Sequence, residues 1–146
     1  MSTVIRDKKT SQGEKLESLL KDLVKKEALA GFWEGESTEP NGQDTALTAA
    51  VQEYGNSTTP PKPFTARSVD DFEDELEASI ETAIDGIFNL NSTDDILEEM
   101  AESQKLRIKE SILTGDFESS NPTPLIDSGT MFDAITAKVL EKGNRE

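Results

Sequence analysis

The residues best placed to do chemistry lie near the C-terminal end, in Leu125-Ile126-Asp127-Ser128-Gly129-Thr130. An aspartate followed by a hydroxyl residue and a glycine puts a carboxylate in a tight turn. Two such carboxylates brought together across a two-fold axis share one proton, and the pair activates water. Other catalytic sets are closed to this chain. It has no histidine and no cysteine, which excludes imidazole bases, Ser-His-Asp and Cys-His triads, thiolate metal sites and disulfides. A second group of reactive side chains is a run of carboxylates. From Asp70 to Gln104 there is no lysine or arginine, and thirteen acids fall in that span. Calcium would need oxygen ligands alternating around a tight glycine turn, and Asp70-Asp71-Phe72-Glu73-Asp74 has no such turn.

The Asp-Ser-Gly triplet resembles the signature of dimeric aspartic proteases, and Asp127 would be the catalytic carboxylate. The context opposes that reading. Those enzymes are nearly all β, whereas residues 69–114 here carry long helical patterns. Most of a β-barrel with a glycine-rich flap should follow the triplet, yet seventeen residues remain after Gly129 (146 − 129). The expected role of Asp127, Ser128 and Gly129 is therefore a turn, with a side-chain oxygen capping backbone N–H groups and Gly129 supplying a positive φ. No catalytic, cofactor-binding or metal-binding residue is expected, and the chain reads as a non-enzyme.

Composition narrows the partners. The chain has 146 residues, a formal charge of −15 from 15 basic and 30 acidic residues, and only 34% hydrophobic residues. Such a surface repels nucleic-acid phosphates and anionic lipid. No apolar run approaches the roughly 18 residues of a membrane span, and Met1–Lys9 has no apolar signal core. One domain over 1–146 is expected from length. Its core should be thin, or shared with neighbouring subunits.

The elements follow from periodicity. Thr3-Val-Ile-Arg6 is β-prone. Ser11-Gln-Gly-Glu14 reads as a capping box, and Leu16, Leu19, Leu20, Leu23 and Val24 then form one helical stripe. Residues 28–36 read as a strand, and 37–45 as a loop with an Asn41-Gly42 turn. Thr45–Tyr54 reads as a short helix stopped by Gly55. Pro60, Pro61 and Pro63 make 56–67 an extended, stiff segment. Ser68-Val-Asp-Asp71 opens a helix over 69–89, and Ser92-Thr-Asp-Asp95 opens another to about Gly115; a short link makes these an antiparallel pair. Residues 115–124 are loop. A last strand spans about 133–141, with room for one helical turn before it. The fold class is α+β: a small mixed β-sheet packed with an N-terminal helix and a long antiparallel helical hairpin.

Three signals in order carry a resemblance: Ala49-Ala-Val-Gln-Glu-Tyr-Gly55, then Pro61-Lys62-Pro63-Phe64, then Pro124-Leu-Ile-Asp-Ser-Gly-Thr-Met131. Together they resemble a family of small tailed-bacteriophage virion proteins, described as virion-morphogenesis, tail-completion or neck proteins. The order of elements agrees over nearly the whole chain. Lys62 stands where the family usually has arginine, and lysine lacks the planar fork for bidentate contacts. The stretch before Pro124 is short, and Ser128 replaces a threonine.

The resemblance implies a homo-oligomeric ring, a hexamer, at the neck or head-proximal end of a phage tail. It would meet the tail tube and a connector or stopper, and genomic DNA would pass without sequence-specific binding. It implies location in the virion, with the host cytoplasm during assembly, no membrane and no cofactor. Pro61, Lys62, Pro63, Phe64 and Tyr54 are the subunit-contact candidates. Phe64 either anchors an arm on the next subunit or packs in its own domain, and Tyr54 is expected to pack at home. The acidic hairpin would be lumen wall or outer rim. Two rivals stand beside this: the aspartic protease, and an acidic DNA mimic or inhibitor that binds a basic protein through residues 70–102.

Overall fold

The computed structural model describes residues 10–114 and 129–143. The β-prone run at 3–6, the loop 115–124, and Asp127 and Ser128 lie outside the described residues.

Helix α1 spans Ser11–Leu23. Its cap is Thr10, one residue before the expected serine; the Gly13 N–H donates to Thr10 Oγ1 at 3.0 Å. Strand β1 (Lys26–Gly31) follows and ends earlier than residue 36 because the chain turns at 34–36. The expected turn at Asn41-Gly42 is present: Thr38 bridges Asp44, the Gln43 N–H donates to Asn41 Oδ1, and Gly42 has φ 89°. Helix α2 (Thr45–Tyr54) is capped by Asp44, which accepts the Ala46 N–H at 3.1 Å.

The expected helix over 69–89 is two helices. Helix α3 covers Phe64–Asp70 and α4 covers Glu73–Phe88, with the break at Asp71 and Phe72. Ser68 is therefore not a cap. It is buried within α3, where its hydroxyl donates to Thr65 O and accepts Gln104 Nε2 at 2.9 Å. Helix α5 (Thr93–Thr114) begins where expected, with Ser92 Oγ accepting the Asp95 N–H at 3.1 Å. Helix α6 (Thr130–Asp133) is the single turn before strand β2 (Thr136–Glu141).

Strands β1 and β2 pair antiparallel, from Lys26 opposite Glu141 to Gly31 opposite Thr136. Among the described residues this pair is the whole sheet, which makes it antiparallel and not mixed. Two strands alone are marginal in water; here α5 lies across both and packs also on α3 and α4. The core joins Ala49, Phe64, Ile108, Ile112, Met131 and Ile135, with Ala30, Phe32 and Phe132 against it. Nine apolar side chains are buried among the described residues, so the core is thin, as the composition suggests. Helices α4 and α5 form the antiparallel hairpin. Gly86 lies against Ile96, and Ser79 bonds Arg107 at the far end. Among the described residues no helix is long and apolar enough to cross a membrane.

Candidate subunit-contact surfaces

The segment expected to be an arm folds back on α2. Gly55 takes φ 74° and its N–H closes α2 on Val51 O at 2.8 Å. A Cβ at Gly55 would sit 2.7 Å from Thr59 O and 2.9 Å from Pro61 N, so only glycine lets the loop return so closely. Asn56 Oδ1 accepts the N–H groups of Thr58 and Thr59 at 2.9 and 2.7 Å, the local bonding that makes asparagine a turn residue. The Lys62 N–H then donates to Gln52 O at 2.6 Å.

This folding corrects the contact candidates. Phe64 is 1% exposed. It is the first residue of α3, its ring meets Phe32 edge-on at 6.1 Å, and its carbonyl accepts Ser111 Oγ at 2.8 Å. It is a core residue and not an anchor on another subunit. Lys62 is 3% exposed, and burial pushes its ammonium pKa down. Pro63 is half-buried and precedes α3; Pro61 is exposed. Tyr54, expected to pack at home, is 80% exposed. Of the five candidates, Tyr54 and Pro61 face outward, while Phe64 and Lys62 are inside. Of the turn triplet, Gly129 is described: its φ is 85°, and its carbonyl starts α6 by accepting the Asp133 N–H at 2.9 Å.

The hairpin carries a second surface. Its acids are mostly exposed, while a connected set of polar side chains runs beside the apolar residues on its inner side. Gln104 Nε2 donates to Ser68, Arg107 Nε donates to Gln104 Oε1 at 2.9 Å, and Arg107 Nη1 donates to Ser79 Oγ at 3.0 Å. The chain of bonds ties α3, α5 and α4 together. Arg107 is buried; desolvation lowers its pKa, and the Glu75 carboxylate opposes that. These residues were not singled out by motif. The available signal is spacing: Leu97, Ala101, Gln104, Ile108 and Ser111 share one helical face, so Gln104 and Ser111 are polar interruptions of a core stripe. Among the described residues no group of three or more acidic side chains converges as a metal site would.

On its outer side α4 exposes an apolar row. Ile80, Ile84 and Phe88 recur every four residues, and Phe88 is 72% exposed. Glu77, Glu81 and Asp85 fall on the same face. Leu20 and Val24, in and just after α1, are exposed too. Lys26 links this end of α1 to α5, donating to Asp22 at 3.2 Å and to Asp94 at 2.8 Å. The hydrogen bonds from Lys26 and Thr93 hold the Asp22 carboxyl below its ordinary range, and those to Asp94 and Asp22 raise the Lys26 pKa.

No protein-family model, no curated protein and no solved structure matches this chain.

Proposed function

We propose that this chain is a structural, non-enzymatic component of a tailed-phage particle, acting as a ring-forming neck or tail-completion protein of the head–tail joining or tail-terminator type. In the assembled particle it would form a closed ring, hexameric by the resemblance of its motifs, with one face toward the tail tube and the other toward the connector or stopper. DNA would pass through the ring without base-specific contacts. The protein would be located in the virion, and in host cytoplasm while assembly proceeds.

The observation that carries the reading is the exposed row Ile80, Ile84 and Phe88 on α4, together with exposed Tyr54. Aromatic and aliphatic side chains left in rows are what oligomer interfaces cover. A thin core and, among the described residues, a two-stranded sheet add to the case, since both gain from neighbours. The net charge of −15 opposes association at long range, so assembly should strengthen as salt screens it. The test is the particle mass of the purified chain over rising salt and concentration, with negative-stain images of any large species. A ring supports the proposal. A monomer under all these conditions and within virions refutes it. A salt-sensitive complex of one or two copies with a basic protein would instead favour the DNA-mimic reading of the acidic hairpin.

A further inference from the structure

We propose that the cleft between α4 and α5 binds a small monocarboxylate with an apolar body, its charged end received by Arg107 and its hydrocarbon by the walls of the cleft. The proposal goes beyond the oligomeric reading and does not depend on it.

The argument starts from the arginine. Arg107 is 6% exposed, and it lines a cleft of about 370 Å³ between the two helices. A guanidinium stays ionised at any ordinary pH, so it cannot escape the cost of burial by losing its proton. A buried charge without a counter-ion is costly to the fold. Yet Arg107 gives its hydrogen bonds to two neutral acceptors, Gln104 Oε1 and Ser79 Oγ. Among the described residues it forms no ion pair. A guanidinium also has more N–H donors than those two bonds use. Among the described residues the polar side-chain atom sealed in without a partner is Gln52 Oε1, and not a nitrogen of Arg107. The unused edge of the guanidinium therefore opens on the cleft that the residue lines. A neutral donor would serve to tie α4 to α5. The positive charge has no partner within the domain and fits one from outside it.

The rest of the cleft sets the class of ligand. Ala83, Ile96 and Met100 line it, and methionine adapts its shape to an apolar guest. The volume and the mostly apolar lining, with one fixed polar group, are those of a small-molecule site. The forked guanidinium matches a carboxylate, to which it can donate two parallel bonds. Glu75, Glu99 and Glu110 also border the cleft, and all three are exposed. Water screens their charges, whereas the guanidinium acts from a buried position where interactions are stronger. They turn away polyanions such as nucleic acid, while a single carboxylate can sit at the arginine. The Glu75 charge acts on Arg107, which makes Glu75 a competitor of the ligand.

The experiment titrates the full-length protein with octanoate, using octanol and octylamine as neutral and cationic probes of the same length. Binding is read by calorimetry and by two-dimensional amide NMR. Octanoate should bind with a Kd of about 1 mM or tighter and should move the signals of Ser79, Ile96, Met100 and Ser103. Arg107→Gln should weaken it by roughly tenfold or more. Glu75→Gln should tighten it by about threefold, a gain that a purely structural arginine would not produce. Ser103→Leu fills the cleft beside an intact Arg107 and should abolish binding. Circular dichroism checks each variant; if Arg107→Gln does not fold, the other two variants decide. Octanol binding as well as octanoate would mean an apolar cleft with an idle arginine. Octylamine binding better would assign the cleft to its glutamates. Either result overturns the proposal, as does no octanoate binding, or binding that these variants leave unchanged. None of these results bears on particle mass, so the oligomeric reading is tested separately.

Discussion

The Glu53 carboxylate, on the last turn of α2, accepts the Thr65 N–H at 2.8 Å with one oxygen, and its other oxygen accepts the Ala66 N–H at 3.1 Å. Both donors belong to the first turn of α3, whose preceding residue, Pro63, has no side-chain cap bond. A carboxylate from another helix therefore does the capping and also meets the positive end of the helix dipole. Replacing Glu53 with alanine should cost about 1 kcal/mol of stability in urea unfolding, and Glu53→Gln should lose less. An unchanged midpoint for the alanine variant would show that the cap contributes nothing.

Phe64 and Tyr54 should separate folding from assembly. Phe64→Ala empties a core site shared with Phe32 and should cost about 3–5 kcal/mol. Tyr54→Ala removes an exposed ring and should change stability by less than about 0.5 kcal/mol, while weakening association if that ring is covered in the particle. A large loss of stability at Tyr54, or none at Phe64, would contradict the placement of these two residues.

Helix α5 and its cap could be read from sequence because Ser92 lies just before a sustained apolar stripe, and tertiary structure does not override it. The break between α3 and α4 could not. Val69, Phe72 and Leu76 keep helical spacing straight through Asp71 and Phe72. The contacts that seat α3 on α5 lie far away in sequence: Ser68 bonds Gln104, and the Phe64 carbonyl accepts Ser111 Oγ. The same holds at the surfaces. Prolines at 60, 61 and 63 keep 60–63 out of a helix, but the extended reading of 56–67 fails at Phe64, where α3 begins, and the prolines carry no sign that the chain returns to α2 through Lys62 and Gln52. The exposed α4 row was present in the spacing of Ile80, Ile84 and Phe88. Periodicity marks an apolar face; it does not say whether that face meets its own domain or another molecule.

Lys62 should be dispensable for folding. Burial alone depresses its pKa, so its charge is disfavoured in the folded state. The cost is present below the folded pKa and is relieved as pH rises through that value toward the unfolded one, near 10.4. Lys62→Met should keep or raise the thermal midpoint near pH 7, and the gain over wild type should shrink toward pH 10. A loss above roughly 2 kcal/mol would show instead that the ammonium is held by a partner.

Asp22 gives the opposite dependence. Its folded pKa is lowered by the bonds from Lys26 and Thr93, so its contribution is present above the unfolded value of about 3.9 and is lost as pH falls through the folded one. Asp22→Asn should be less stable than wild type near pH 7, and the difference should close as the pH falls below the ordinary carboxylate range. A difference that persists at low pH would mean the effect is not electrostatic.

The central claim is that the single chain is an incomplete unit, with apolar rows meant for other copies. The mass of the full-length protein, measured by sedimentation equilibrium as salt and concentration rise, tests this most directly. The account predicts a shift from monomer to one closed species of defined size, six copies by the resemblance, with added salt favouring it. A monomer mass that persists at high salt and high concentration, and again in material recovered from particles, would contradict it.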